Sequence, residues 1–428
     1  MVKGEHPWYR KRGYLHFDLP VGIKKASAIV LDTEKVSRHA FWPFIDYQIV
    51  TEKLSKDADG DLKKKIKERL IAYAAHLDSH IYSYYSNLLS QFYEEELKKR
   101  QIGRHVLAFR ALGKSNIHFA RDAFKAIESF GPCGVIALDV SGFFDNLNHD
   151  YLKSRWSELL GKSLLPKDHY NVFKSLTKFS TVNRDALYSR LNIAKHNPKN
   201  GRERVCSTKE FDRKVRKEKL IIPNRNNHGI PQGAPISSLL SNIYMLEFDQ
   251  KMSESVAEWG GHYFRYCDDM LFVVPQEFTN SVAGMVVTEL KSLGLTINSS
   301  KTEIRTFENI GDGQKSNKPL QYLGFLYDGQ SILIRSAAFA RFSERMKGGV
   351  KLAKSTQVKR NAIRVRRGEK PTRLFKQKLY ERYSHLGRRN FIRYGLRAAE
   401  IMDSKAIKKQ LKPLWKNLQE EIHKSTKK

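Results

Sequence analysis

Two adjacent acids, Asp268 and Asp269, lie between two β-favouring runs in the segment RYCDDMLFVV at 265–274. A third acid, Asp139, directly follows the apolar run CGVIAL that begins at Cys133. The β-favouring runs predict two strands that meet at a tight bend carrying the acid pair. Carboxylates at strand ends suit Mg²⁺, which prefers hard oxygen ligands and completes its shell with substrate phosphates. Two such ions would stabilise the attacking and leaving oxygens of an in-line phosphoryl transfer.

The segments around the acids are needed to interpret them, because an isolated acid pair is more often part of a solvated turn than of a catalytic site. Five segments occur in a fixed order, each near the end of an expected helix or strand. They are ALDVSGFFDNL at 137–147, GIPQGAPISSLLSNIY at 229–244, YCDD at 266–269, LGLTINSSKTEI at 293–304 and LQYLGF at 320–325. In this order they resemble motifs A to E of the reverse transcriptase palm. The resemblance covers roughly residues 105–330 and is nearest to the bacterial and group II intron-like branch.

This resemblance implies a metal-dependent nucleotidyl transfer. Asp139, Asp268 and Asp269 match the metal-binding acids of the family, and the backbone carbonyl of Val140 matches a further ligand. Two Mg²⁺ ions are implied, with Mn²⁺ able to substitute. Lys301 matches the motif D lysine near the departing pyrophosphate, where a cation or a proton donor assists the reaction. Taken alone, a lysine at this place would more often be a solvated residue at a strand end.

Three further residues match positions that contact the incoming nucleotide in the family. Phe144 falls at the steric gate, where an aromatic ring clashes with a ribose 2′-hydroxyl and so favours deoxynucleotides. Viral RNA-copying polymerases place a second aspartate near that position instead. Gln232 would lie against the nucleotide, and Gly233 would let the backbone approach closely. Leu323 and Gly324 match the primer-grip turn of motif E.

The segment FRALGKSNIHFARDAF at 109–124 resembles the family's triphosphate-holding motif more loosely. It makes Arg110 and Lys114 candidates for contacts with the phosphates, which both side chains bind well. A surface ion pair explains either residue almost as well.

The charge of the chain indicates a polyanionic partner. The formal net charge is +32, from 77 Lys and Arg against 45 Asp and Glu. Residues 331–428 hold 28 Lys and Arg against 7 Asp and Glu, with aromatic residues between them. The segment 195–225 holds 11 against 4 and is predicted to be an exposed, loop-like excursion. Both regions suit a phosphate backbone, whose attraction does not depend on base sequence, so both are expected to contact RNA.

The implied fold is α+β, with the right-hand arrangement of fingers, a palm whose antiparallel sheet carries the acids, and a helical basic thumb. Residues 1–130 are expected to form the N-terminal segment and fingers with part of the palm. Residues 131–330 would form the palm, and residues 331–428 the thumb. Within the first region, apolar residues recur at three and four positions from residue 59 to residue 100, which predicts a helix pair.

Two segments point to a particular branch of the family. YRKRGYLHFDLP at 9–20 and LYERYSHLGRRNFIRYGLRAAEIM at 379–402 resemble bacterial defence-associated reverse transcriptases, the former unknown group. The resemblance implies an antiphage role and a dedicated noncoding RNA as template or scaffold, with dNTPs as substrates and DNA as product. Tyr14 and His16 would belong either to the RNA contact or to packing.

The sequence is also compatible with two other functions. One is template-independent or protein-primed DNA synthesis, as in abortive-infection relatives. The other is a non-catalytic, maturase-like RNA-binding protein, against which the intact Asp139, Asp268 and Asp269 argue.

The sequence also predicts the cellular location of the protein. It has no apolar run near the roughly 18 to 20 residues of a spanning helix, and its start does not read as a signal peptide. Three cysteines are too few and too scattered for a disulfide framework or a zinc site. A cytoplasmic protein without a membrane partner is therefore expected.

Overall fold

The computed structural model describes residues 6–56, 62–311 and 313–424, and its strands and helices give the expected α+β class. The strands are β1 Phe44–Lys56, β2 Leu62–Tyr73, β3 Cys133–Ser141, β4 Ser180–Asn183, β5 Ile221–Pro223, β6 His262–Tyr266, β7 Asp269–Val274, β8 Thr296–Ile297, β9 Glu303–Ile310, β10 Gly313–Ser316, β11 Leu320–Tyr322, β12 Phe325–Tyr327 and β13 Ile332–Ile334. The helices are α1 Ile23–Val30, α2 Thr33–Ser37, α3 His76–Lys99, α4 Asn116–Phe130, α5 His149–Leu159, α6 Lys167–Thr177, α7 Arg184–Arg190, α8 Thr208–Phe211, α9 Ser237–Tyr244, α10 Leu246–Glu258, α11 Thr279–Ser292, α12 Ser336–Arg366, α13 Gln377–Tyr383, α14 Phe391–Ile401, α15 Lys405–Leu411 and α16 Pro413–His423.

A central antiparallel sheet has the strand order β10-β9-β3-β7-β6, and β8 pairs with the end of β3. Successive residues of β3 enter two different cores, because side chains alternate between the faces of a sheet. Ile136 and Leu138 pack in one core, whereas Val135 and Ala137 pack in the other. This burial on both faces explains the uninterrupted apolar run before Asp139. The sheet therefore holds its strand ends, and the acids on them, between two packed layers.

A second sheet, ordered β2-β1-β4-β5, lies toward the N-terminus and corrects the predicted helix pair. Residues 62–73 are a strand paired antiparallel with β1, and only His76–Lys99 is helical. Residues 59–61, where the prediction began, lie outside the described residues. Leu62, Ile66 and Leu70 are spaced by four, which mimics a helical stripe. Pairing with β1 overrides that local pattern, as tertiary context commonly does.

The basic segment 195–225 is folded onto the protein and is not a loop throughout, contrary to the prediction. It contains α8, and it ends in β5, which pairs with β4. Phe211 and Val215 are buried in a small core that also takes Leu15 from the N-terminal segment. Most of its Lys and Arg side chains stay exposed, so the segment presents a basic surface on an apolar anchor.

Tyr14 and His16 belong to packing in this structure. The Tyr14 hydroxyl donates to the Ala74 carbonyl at 2.9 Å, and the ring stacks on His76. His16 is fully buried, and burial lowers its pKa to about 3, so its ring is neutral at pH 7.

The C-terminal region is helical, as its periodicity predicts. The three-stranded sheet β11-β12-β13 leads into the 31-residue helix α12 and the shorter helices α13 to α16. Phe342 and Ile392 from these helices enter the same core as Val135 on the central sheet. Over the described residues, no helix combines the length and apolar character needed to cross a membrane.

Candidate active site

The carboxylates of Asp139 and Asp269 lie on neighbouring strands of the central sheet. The two residues are direct cross-strand partners in the β3 and β7 pairing, so their side chains share one face. Asp139 is 8% exposed, which leaves its carboxylate mostly shielded from water. Asp268 precedes Asp269 in the bend between β6 and β7, which confirms the predicted pair of strands meeting at the acids. The structure thus brings the three acids of the sequence analysis together.

The bend has a backbone conformation that needs support. Cys267 has a φ of +62°, in the left-handed region that costs an L residue with a side chain about 1–2 kcal/mol. Two hydrogen bonds hold the bend: the Val140 N–H donates to the Asp268 carbonyl at 3.2 Å, and the Arg265 guanidinium donates to the Cys267 carbonyl at 3.1 Å. The acid pair is therefore fixed both to β3 and to the interior behind it.

Arg265 belongs to a buried charge network that the sequence analysis missed. Arg265 and Asp249 are both fully buried, and the guanidinium donates Nε and Nη2 to the two carboxylate oxygens at 2.6 and 2.5 Å. The Tyr263 hydroxyl donates to the same carboxylate at 2.8 Å, and the Asn242 side-chain oxygen accepts from Arg265 at 3.0 Å. Arg265 thereby links helix α10 to the bend that carries Asp268 and Asp269. The sequence feature that could have identified Arg265 is its position in the segment RYCDD, two residues before Cys267.

The three acids also interact electrostatically. Burial, which is the largest cause, and the charges of Asp268 and Asp139 raise the pKa of Asp269, Lys301 and Arg335 act in the opposite direction, and the net result is a pKa of about 7. Mutual repulsion of this kind is characteristic of carboxylates that lie close together in one site. Arg335, which immediately precedes α12, is a second residue that sequence reasoning missed. Arg335 directly follows β13, and no sequence motif around it identifies it as a residue of the site.

Lys301 lies against the cluster. Its ammonium forms an ion pair with the Asp139 carboxylate, and its side chain is 38% exposed. The turn that carries it is anchored to β3, because the Asn298 N–H donates to the Asp139 carbonyl at 2.7 Å and the Lys301 N–H donates to Asn298 at 2.9 Å. The lysine thus neutralises part of the negative charge of the acids.

The donor set suits a hard divalent cation. Across the described part of the chain, no group of three His, Cys, Asp or Glu side chains is arranged to enclose a metal ion by itself. Carboxylate and carbonyl oxygens are the hard donors that Mg²⁺ prefers, and Mg²⁺ usually completes its shell with water and substrate phosphates. A cation at Asp139 would replace the Lys301 ammonium there. The expected roles of the three acids and of the Val140 carbonyl in metal binding stay predictions.

Phe144 and Gln232 are held on adjoining segments. Phe144 lies in the short 3₁₀ turn Phe143–Asp145 after β3, and its carbonyl accepts from the Ile230 N–H at 2.9 Å. The Gln232 carbonyl accepts from the Ala72 N–H, also at 2.9 Å. The turn after β3, the segment before α9 and the end of β2 are therefore connected by backbone hydrogen bonds beside the acids.

Gly233 occupies a position that excludes a side chain. Its φ is +128°, and a Cβ atom there would lie 2.6 Å from the Ala72 carbonyl oxygen. The close approach that the glycine permits in this structure is to β2, and a role in approaching a nucleotide stays a prediction.

Leu323 and Gly324 form the two-residue turn between β11 and β12. Their φ values of +47° and +95° are both positive, which is typical of tight hairpin turns and unfavourable for leucine. The Asn116 amide donates to the Leu323 carbonyl at 3.1 Å and to the Tyr394 hydroxyl at 3.0 Å. Asn116 therefore ties the turn to the start of α4 and is itself bonded to Tyr394 of α14. Its contact with a primer stays a prediction.

Arg110 and Lys114 are engaged elsewhere in this structure. Arg110 forms a two-pronged ion pair with Glu94 at 2.7 and 2.6 Å and also donates to the Val106 carbonyl. Lys114 forms an ion pair with Asp122 at 2.9 Å. Both residues therefore form ion pairs in the structure, which is the alternative that the sequence analysis gave for them. Their contact with a triphosphate stays a prediction.

The chain is similar to a known protein family and to several solved structures. Residues 62–327, more than half of the 428 residues, match the family model described as reverse transcriptase (RNA-dependent DNA polymerase). Among solved structures, the truncated apo telomerase of Candida tropicalis is 12% identical with a TM-score of 0.41, covering 68% of this chain and 57% of that one.

Two further structures overlap in a similar way. The Candida albicans telomerase in complex with a fragment of telomeric RNA is 12% identical with a TM-score of 0.39, covering 90% of this chain and 64% of that one. The RNA-dependent RNA polymerase of a human picobirnavirus is 12% identical with a TM-score of 0.37, covering 68% and 44%. The aligned regions span about half to two thirds of these three structures. Because the TM-scores are below 0.5, the assignment rests on the family match.

Proposed function

Because this chain belongs to the reverse transcriptase family, the RNA-directed DNA polymerases, we propose that it extends a DNA strand on an RNA template at the cluster of Asp139, Asp268 and Asp269. The observation that carries the proposal is the cross-strand pairing of Asp139 with Asp269 beside the fixed Asp268 bend. In this family such acids would hold Mg²⁺, with Mn²⁺ able to substitute. When bound, the ions would lower the barrier by stabilising the attacking and leaving oxygens.

The remaining residues would position the substrates around this cluster. Lys301, released from Asp139, would place its ammonium near the departing pyrophosphate and donate a proton or a positive charge there. Gln232 would lie against the incoming dNTP. The turn at Leu323 and Gly324 would fix the primer end, because the hydrogen bond from Asn116 holds the turn against the start of α4.

Phe144→Ala is expected to reduce the preference for deoxynucleotides. The ring lies in the turn fixed to Ile230 and packs at 5.6 Å against Phe143, so its position is set by the fold. Removing it would open space for a 2′-hydroxyl and allow ribonucleotide incorporation. Single-nucleotide extension with dNTP and with rNTP measures the ratio of kcat/KM values. Phe143→Leu, on the neighbouring buried ring, is the matched control for packing, and an unchanged ratio in Phe144→Ala would exclude the gate.

The finer function that we propose is antiphage defence with a dedicated noncoding RNA as template. The support is the resemblance of residues 9–20 and 379–402 to defence-associated enzymes. The exposed basic residues of segment 195–225 and of helix α12 offer surfaces for that RNA. A cytoplasmic location follows from the same proposal.

The test is purification from the native cell, sequencing of the co-purified nucleic acid, and addition of labelled dNTPs with Mg²⁺. The expected result is one enriched small RNA and complementary DNA made only by protein with intact acids. DNA without a complementary RNA would replace the proposal by untemplated or protein-primed synthesis. RNA binding without any DNA would replace it by a binding role.

A further inference from the structure

A cavity of about 660 Å³ lies away from the three acids, between the N-terminal segment, helix α3 and the loop before α4. Sites for small ligands usually measure about 300–1,000 Å³. Pro235 and Leu239 close one side of the cavity, and they lie just after Gln232 and Gly233 in the chain. The cavity is therefore next to the proposed nucleotide-contacting segment but is lined by different side chains.

Two polar groups in the cavity wall lack a partner in the described structure. Tyr93 is fully buried and lines the cavity, and its hydroxyl makes no hydrogen bond. Arg12 donates Nη2 to the Ser83 hydroxyl at 2.8 Å, but its buried Nε has no acceptor. A buried donor without a partner is unfavourable, so such groups in a cavity wall favour the binding of a polar ligand.

The charge in the cavity favours an anion. Arg10 and Arg12 both line it, and neither forms an ion pair with an acid among the described residues. Glu94, the acid in the wall, is already neutralised by Arg110. Burial lowers the pKa of the Arg12 guanidinium, and the neighbouring Arg10 adds to this effect. Guanidinium and hydroxyl donors together are typical of phosphate binding.

An exposed aromatic ring stands at the edge of the same cavity. Phe109 is 48% exposed and has a φ of +61°, a conformation that a phenylalanine rarely adopts. The loop that carries it is held in place, because the Asn242 amide donates to the Ala108 carbonyl at 3.0 Å and Arg110 donates to Val106. Strain held by surrounding contacts is found at ligand sites, and an exposed ring is suited to stack on a base.

We propose that this cavity binds a nucleotide unit, with its phosphate on Arg10 and Arg12, its base on Phe109 and a polar atom on the Tyr93 hydroxyl. The unit is either an unpaired nucleotide of the bound RNA or a free nucleotide. The site deepens the proposed function by naming a contact outside the catalytic cluster. Nucleotide binding in this cavity does not depend on DNA synthesis by the protein.

The test uses full-length protein that carries Asp268→Asn and Asp269→Asn, in EDTA, so that metal-dependent binding at the acids does not contribute. Calorimetric titration with AMP and UMP, and fluorescence anisotropy with a short unstructured RNA, give the two affinities. Tyr93→Phe removes only the hydroxyl and is expected to weaken binding about threefold or more, and Arg12→Gln about tenfold or more. Tyr170→Phe, at an exposed tyrosine on α6, is the control and should change neither affinity.

The outcomes separate the two sources and the alternatives. Weakened mononucleotide binding assigns the cavity to free nucleotides, and weakening for RNA alone assigns it to a nucleotide of the RNA. If neither affinity changes, the proposal is overturned. Tyr93→Phe should also unfold at the same or a higher temperature, because its hydroxyl is unpartnered, and a large decrease would show a structural hydroxyl and overturn the proposal. Protein that binds nucleotides here but makes no DNA with intact acids would refute the proposed function alone.

Discussion

Asp249→Asn is expected to destabilise the fold by about 3–5 kcal/mol, the cost of leaving a buried charge without its partner. The Arg265 guanidinium has no exposure to water, and Asp249 provides both oxygens of its ion pair. Asparagine keeps the shape but not the charge, and it cannot accept from both guanidinium nitrogens and Tyr263 as the carboxylate does. Urea unfolding followed by circular dichroism measures the loss of stability.

A second variant separates the contribution of the Arg265–Asp249 ion pair to folding stability from the support that Arg265 gives to the bend. Arg265→Met with Asp249→Leu removes both charges, and buried pairs replaced by apolar residues often lose little stability. The double variant should therefore unfold at a higher urea concentration than Asp249→Asn. It should still lose nucleotide incorporation, because the Cys267 carbonyl loses its donor and the bend loses its support.

The exposed ion pair of Glu34 and Arg38 provides the matched control. Glu34→Gln removes a pair that is largely in water, with side chains 69% and 84% exposed, so little change is expected. If Asp249→Asn were as stable as Glu34→Gln, the buried pair would not support the fold. If the double variant incorporated nucleotides normally, Arg265 would not position the bend.

This network shows what the sequence could and could not predict. Strand-forming runs and the acids at their ends are local patterns, so β3, β6 and β7 and the bend at Asp268 were predictable. The assignment to the reverse transcriptase family from five ordered segments is confirmed. Arg265 and Asp249 are 16 residues apart on a strand and a helix, and their contact appears only when the two elements pack.

The wrong predictions have a related cause. The stripe at Leu62, Ile66 and Leu70 fits a helix locally, and only the pairing of β2 with β1 decides for a strand. The segment 195–225 reads as polar and loop-like because Lys and Arg dominate its composition, 11 against 4 Asp and Glu. Phe211 and Val215 become a core only by meeting Leu15 from the distant N-terminal segment. Long-range partners, which a single sequence does not display, account for both differences.

The variant with Asp268→Asn and Asp269→Asn is expected to lose nucleotide incorporation by roughly a thousandfold or more, since it removes two carboxylates that would hold the metal ions stabilising the reacting phosphoryl group. Its fold should be retained. The pKa of Asp269 is raised by burial and by the charges of Asp268 and Asp139, so the folded protein disfavours the ionised form. Replacing that carboxylate by a neutral amide relieves repulsion, and the unfolding temperature without metal should be equal to or above that of the wild type.

Two measurements distinguish this loss from a structural defect. Mg²⁺ should raise the unfolding temperature of the wild type more than that of the variant, because binding to the folded state alone stabilises it. RNA affinity should stay near the wild-type value, since the basic surfaces are unchanged. Asp150→Asn, at an exposed acid in the first turn of α5, is the matched control and should keep full incorporation. Loss of folding in the double variant would instead assign the acid pair to structure, and normal incorporation would exclude it from catalysis.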